Sequence, residues 1–231
     1  MKSTSCKKIG QGEFAFRCHG GPREGAGRKL EASKPMVPHR KREVINGREP
    51  VHATVRLIEG LPSLRRMGVL GVLKRAFAAG CDRFGFRLVH WSVQSNHIHM
   101  LVEAEDNESL SRGMQGLQVR MAKALNKLWG LKGRVFSDRF HSRILRTPRE
   151  VRNALLYVLQ NARRHGLKLH SHLDAYASGF WFSGWREGLP RLVGDPEPLP
   201  LARTKTWLLE TGWWLRHGLI GPAEAPLRRA A

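Results

Sequence analysis

Two histidines one residue apart, inside Asn96-His97-Ile98-His99-Met100-Leu101-Val102-Glu103, are the side chains of this sequence best suited to hold a metal ion. The run reads as a strand. Alternation along it puts His97, His99, Leu101 and Glu103 on one face and Ile98, Met100 and Val102 on the other. Same-face neighbours lie roughly 7 Å apart, so both rings can tilt onto one divalent ion. The pattern is weak by itself, because 11 histidines in 231 residues produce a chance His-x-His in about every second chain of this composition. A second copy, His170-Ser171-His172, sits in a polar stretch past a helix end and reads as loop.

The next reactive candidate is Tyr157, one of two tyrosines with Tyr176. Its helix starts at Thr147-Pro148-Arg149-Glu150, a capping box with Pro at the first helical position. On a helical wheel Val151, Leu155, Val158, Leu159 and Ala162 form the buried arc, and Glu150, Asn153, Tyr157, Asn161 and Arg164 gather opposite. Tyr157 is therefore expected outside the core, at the centre of a polar stripe, with Asn161 one turn later. A surface tyrosine on a solvated helix is the plain alternative. Together with a histidine pair and phosphate-attracting charge, however, it completes an ion, a nucleophile and an anion-binding field, the parts of a phosphodiester transfer site. A free phenol, with a pKa near 10, is a weak nucleophile at neutral pH, and a metal that polarises the phosphate offsets that weakness. Two imidazoles and one amide or carboxylate leave coordination positions for phosphate oxygens. A covalent phosphotyrosine would store the broken ester for rejoining, which attack by water does not allow.

Composition narrows the substrate. Forty Lys and Arg against 19 Asp and Glu leave a formal charge of +21, spread over every segment, and such a field attracts nucleic acid. Cys6, Cys18 and Cys81 are too few and too scattered for a disulfide framework or a zinc site, which fits a reducing, cytoplasmic, nucleoid-associated setting. There is no signal-peptide core and no run long enough to span a membrane, so no membrane partner is expected.

The elements that must position these residues follow from periodicity. Residues 1–48, rich in Gly, Lys, Arg and Pro, are expected to form a disordered basic arm. Val51–Ile58 reads as a first strand, Leu64–Ala79 as a helix ending at Gly80, and Phe84–Val93 as a second strand. Gln94-Ser95-Asn96 turns the chain into the His97 strand. Asp106-Asn107 caps a helix striped by Leu110, Met114, Leu117, Met121, Leu125 and Leu128. Val135–Leu145 is expected as a fourth, basic strand, where Arg134, Arg139, His141, Arg143 and Arg146 are candidate DNA-backbone contacts on charge alone. The order β-α-β-β-α-β with an added helix is that of a ferredoxin-like antiparallel α+β sheet. The division is thus an arm over 1–48, a catalytic core over 49–166 and an extension over 167–231 that holds five of the seven Trp.

His97-Ile98-His99 after Gln94-Ser95-Asn96, joined by Tyr157 and Asn161 in the last core helix, resembles the single-tyrosine HUH transposases, above all the REP-associated tyrosine transposases. The resemblance implies that His97, His99 and Asn161 hold Mg²⁺ or Mn²⁺. It also implies that Tyr157 attacks single-stranded DNA carrying hairpin or repeat ends and is left with a 5′-phosphate, and it favours a monomer while leaving a dimer open. Ala162 follows Asn161 where the family often has Pro, so the helix is expected to continue to Gly166.

Two other classes compete. His52-Ala53-Thr54 is one of the two His-apolar-Thr motifs that a two-histidine phosphoesterase needs, and the second is missing. A non-enzymatic, RNA-binding-like module would stack bases on Phe84, Phe86, Trp91, Phe136 and Phe140, but the RNP1 pattern is absent.

Overall fold

The alternating runs starting at Val51, Phe86 and His97, with a short run from His141, pair into one antiparallel sheet. In the computed structural model, which describes residues 42–164, 173–188 and 198–226, five strands take the order β2-β3-β4-β1-β5. They are β1 (Val51–Arg56), β2 (Asp82–Arg83), β3 (Phe86–Val93), β4 (His97–Ala104) and β5 (His141–Ile144). With α1 (Val69–Ala78) after β1 and α2 (Asn107–Trp129) after β4, the expected α+β, ferredoxin-like order is present.

Register decides which side chains share a face. Thr54 lies opposite His99 and Arg56 opposite His97 in the β1–β4 pair, while Thr54 faces His141 and His52 faces Arg143 across β1–β5. In the β3–β4 pair, Ser92 faces His99 and Arg87 faces Glu103. One face of the sheet is therefore lined by imidazoles, hydroxyls and charges. The other carries Val51, Ala53, Val55, Ile98, Met100 and Val102, fully buried in a single cluster with Leu73 and Phe77 of α1 and Leu110, Met114 and Leu117 of α2. Burying such side chains contributes about 1.5–3 kcal/mol each, which makes this the stabilising layer.

The polar face is covered as well. Helix α3 (Pro148–Leu159) begins at the expected capping box, with Thr147 Oγ1 accepting from the Glu150 amide. It packs Val151, Leu155, Val158 and Leu159 into a second cluster with Val89, Leu101, Trp185, Leu209 and Trp213. Much of the extension is thus structural. A π-helical turn at Leu208–Gly212 and helix α5 (Trp213–His217) lie against α3. Arg152 forks onto Glu224 at 2.7 and 3.0 Å.

Several expectations change in detail. The second strand is interrupted by a tight turn at Phe84 and Gly85, both at positive φ, so only Phe86–Val93 forms β3. Helix α1 starts at Val69 rather than Leu64, after a left-handed Gly68. The fourth strand is split: Phe136 forms an isolated antiparallel bridge with Leu57, Asp138 then takes the amide of Arg139 in a local bond that competes with the ladder, and only His141–Ile144 forms β5. The last helix does not continue to Gly166. Gln160 leaves helical geometry at φ −115°, its carboxamide donates to Pro222 O at 2.6 Å, and a separate short α4 (Asn161–Arg164) follows. Residues 42–48, assigned above to the arm, pack on the body: Ile45 is buried, and its amide donates to Asn107 Oδ1 at 2.8 Å. Arm residues 1–41, Gly166 and the second histidine motif at His170-Ser171-His172 lie outside the described residues. Among those described, no helix is long and apolar enough to cross a membrane.

A buried charge ties the extension to the sheet. Glu103, fully buried, accepts from Arg87 Nε at 2.9 Å, from the Lys205 and Thr206 amides at 2.9 Å each, and from Thr206 Oγ1 at 2.7 Å. Removing one partner of such a pair strands the other, so Glu103→Ala is expected to lower unfolding free energy by about 3–5 kcal/mol in urea denaturation. A loss below about 1 kcal/mol would show that the network is dispensable.

Candidate active site on the imidazole face

His99 is the centre of the polar face. Its Nε2 lies 3.0 Å from His97 Nε2 and 3.3 Å from the Tyr157 hydroxyl. Its Nδ1 lies 3.0 Å from Thr54 Oγ1 and 3.2 Å from His52 Nε2. The Nδ1 of His97 in turn meets Asn96 Oδ1 at 2.8 Å. The two Nε2 atoms thus face each other, with the ring planes at 85°, and each Nδ1 is engaged by a neighbour. Second partners of this kind fix the tautomer: a proton on His99 Nδ1, donated towards Thr54 or His52, leaves a lone pair on Nε2.

Such a donor pair fits a divalent cation. Among the described residues no group of three His, Cys, Asp or Glu side chains is placed to hold a metal. Asn161 has the appropriate chemistry, since its carboxamide is fully buried and neither its Oδ1 nor its Nδ2 has a hydrogen-bond partner among the described residues. An unsatisfied buried amide is costly unless something else occupies it.

The helical wheel misjudged this side of α3. Tyr157 is half-buried and packs on the second cluster, and Asn161 is buried rather than on a solvated stripe. With the sheet on one side of α3 and α5 on another, the arc opposite Leu155 is also covered, and the break at Gln160 removes Asn161 from a continuous wheel.

In the sequence, His52 and Thr54 carry no signal beyond an incomplete phosphoesterase motif. Their place beside His99 depends on the β1–β4 register, which alternation within β1 alone does not reveal. Burial, with smaller contributions from His141 and Arg143, pushes the His52 pKa down to about 4, so its ring is neutral at physiological pH. The basic candidates are less uniform. His141, Arg139, Arg143 and Arg146 are exposed. Arg143 pairs with Glu150 at 2.8 Å and Arg146 with Glu43 at 2.5 Å. Arg134 is bound to backbone carbonyls of its own loop.

Residues 52–159 match the family model described as transposase, IS200 like. This core belongs to the IS200-like transposase family. The matched stretch begins at His52 and runs past Tyr157, so His52, Thr54, Asn96, His97, His99 and Tyr157 fall inside it and Asn161 lies just beyond. Among solved structures, a REP-associated tyrosine transposase bound to a REP hairpin aligns with a TM-score of 0.53 at 18% identity, over 74% of this chain and 100% of that one, and has the same fold. A weaker likeness, with a TM-score of 0.37, is to a bacterial tRNA(His) guanylyltransferase-like protein in complex with ATP, at 16% identity over 54% of this chain and 62% of that one. That is below the level at which a shared fold follows. No curated protein matches the sequence significantly.

A second buried histidine of the transposase fold, His90, is also held down to about pKa 4 by burial, with Nδ1 3.1 Å from Ser178 Oγ. Between pH 4 and 6.5 the unfolded chain protonates His52 and His90 while the folded one does not, so stability is level above about pH 6.5 and falls as pH drops towards 4. The urea midpoint is expected to fall between pH 7 and pH 5, and by less in His90→Gln. An identical pH dependence in that variant would exclude His90 as a source.

Proposed function

We propose that this protein nicks and rejoins single-stranded DNA, with Tyr157 as nucleophile and a divalent cation, Mg²⁺ or Mn²⁺, held by His97, His99 and Asn161. One observation carries the reading: His99 Nε2 lies 3.0 Å from His97 Nε2 and 3.3 Å from the Tyr157 hydroxyl. A bound cation would supply charge to stabilise the phosphate as it gains negative character.

The chain's own groups then have definite tasks. Tyr157 Oη attacks the phosphorus of a scissile phosphodiester as its proton is lost. The bond from phosphorus to Tyr157 forms, the bond to the 3′ oxygen breaks, and that oxygen leaves as a 3′ hydroxyl after taking a proton. The product is a 5′-phosphotyrosine. A 3′ hydroxyl of an incoming strand reverses the exchange and releases Tyr157, so ester bonds are conserved in number and no energy source is needed. Thr54 and His52 hold the ring of His99, and Asn96 holds that of His97. His141 and Arg143 share that face through β5, and their charge suits contact with the backbone of a strand approaching Tyr157. Arg139 and Arg146 extend the positive edge, and Arg134 orders the loop before it.

A hairpin-bearing strand is the substrate we favour, on the basis of the hairpin bound by the structural relative and the charge of +21. The enzyme is read as a monomer. Mixing it with Mn²⁺ and an end-labelled hairpin carrying single-stranded flanks is expected to yield a denaturant-resistant protein–DNA conjugate. Tyr157→Phe abolishes the conjugate and leaves DNA affinity within about twofold; conjugate from that variant would remove Tyr157 from the reaction. Thr54→Val, which keeps the shape and removes the hydroxyl, is expected to weaken Mn²⁺ binding and nicking about 10- to 100-fold, with Thr54→Ser restoring most of both. Wild-type Mn²⁺ affinity in Thr54→Val would show that the hydroxyl does not position His99.

A further inference from the structure

The β2–β3 turn breaks a local rule. Phe84 and Gly85 both adopt positive φ, 52° and 76°, the geometry of a two-residue hairpin turn whose first position favours Asn, Asp or Gly. Gly85 adopts its φ at no steric cost. Phe84 has no such freedom, and the residue is 79% exposed. A bulky residue in the left-handed region and an apolar ring in water are both unfavourable.

A second unexplained residue lies next to it. Gly113 in α2 is required, since a Cβ would fall 2.1 Å from the Phe86 ring. Gly116, one turn later, would meet only the far end of the Arg120 side chain, at 3.0 Å. A mid-helix glycine costs about 1 kcal/mol relative to alanine, and no neighbour demands this one. What it leaves is a groove of about 570 Å³ between α2 and the turn, lined by Arg83, Phe84, Arg112, Val119, Arg120 and Lys123. Arg112 pairs with exposed Glu108 at 3.3 Å, whereas Arg83, Arg120 and Lys123 form no ion pair among the described residues. Arg112, Arg120 and Lys123 follow one face of the helix, with roughly 12 Å of rise between the first two. The groove lies on the α2 side of the sheet, away from Tyr157, which packs on the opposite face with α3.

We infer that this groove is a second binding site for single-stranded nucleic acid. An unpaired base stacks on Phe84 and Val119 while the following phosphates track Arg120 and Lys123. A cationic channel with an exposed aromatic is how strands are held without reading sequence, and the two unfavourable local choices both serve to open and floor it. Duplex DNA, whose bases are already stacked, gains nothing from Phe84.

Titrating fluorescein-labelled octathymidylate into the full chain in EDTA buffer tests the groove without any nicking. Phe84→Asn keeps the turn and removes the ring; it is expected to weaken one octamer site about 5- to 140-fold with no fall in Tm. R120Q/K123Q is expected to reduce the slope of log K against log salt at that site by about 1.4. Wild-type affinity and slope in both variants would overturn the site. An eight-base-pair duplex that loses as much affinity as the single strand on Phe84→Asn would overturn the single-strand assignment. Tyr157→Phe leaves octamer binding at this groove unchanged, so a failure of the nicking reading and a failure of the groove register separately.

Discussion

The pairing of β1 with β4 is the constraint on which the rest of the molecule depends. A shift of one residue would turn His97 and His99 into the apolar layer and present Ile98 and Met100 to α3. The apolar face prevents the slip, since Val51, Ala53 and Val55 interleave with Ile98, Met100 and Val102 under two helices. Hydrophobic burial on one side of the sheet therefore sets the hydrogen-bond geometry of His99 on the other. Rigidity there matters because a site that holds an ion must keep its ligands within tenths of an ångström.

Helix α3 supplies the second half of the arrangement. The extension fastens it near both ends, through Arg152 on Glu224 and Gln160 on Pro222 O. Trp185, Leu209 and Trp213 complete its buried side. The Trp-rich segment thus holds in place the helix that carries the phenol, and Glu103 anchors that segment to the same strand that carries the histidine pair.

Much of this was legible in the amino-acid order. The histidine pair sits on a strand because apolar residues alternate around it, and the capping box marks the start of α3 to the residue. What could not be read depended on contacts distant in sequence. Thr54 and His52 reach His99 across a pairing of 45 and 47 residues' separation. Tyr157 and Asn161 seemed to face solvent because the wheel has no knowledge of a tail that returns 60 residues later to cover the helix and break it at Gln160. The fourth strand is interrupted rather than absent: Phe136 bridges Leu57, and after a turn in which Asp138 takes the amide of Arg139 the ladder resumes at His141. Two local rules broken without a packing cause, at Phe84 and Gly116, border one groove.

The most direct check on the central claim is an anomalous-scattering map from crystals of the full chain grown with Mn²⁺. The account predicts a peak within about 2.3 Å of Nε2 of both His97 and His99, adjacent to the Tyr157 hydroxyl. Manganese bound elsewhere, with those two nitrogens still facing one another and no peak between them, would contradict it.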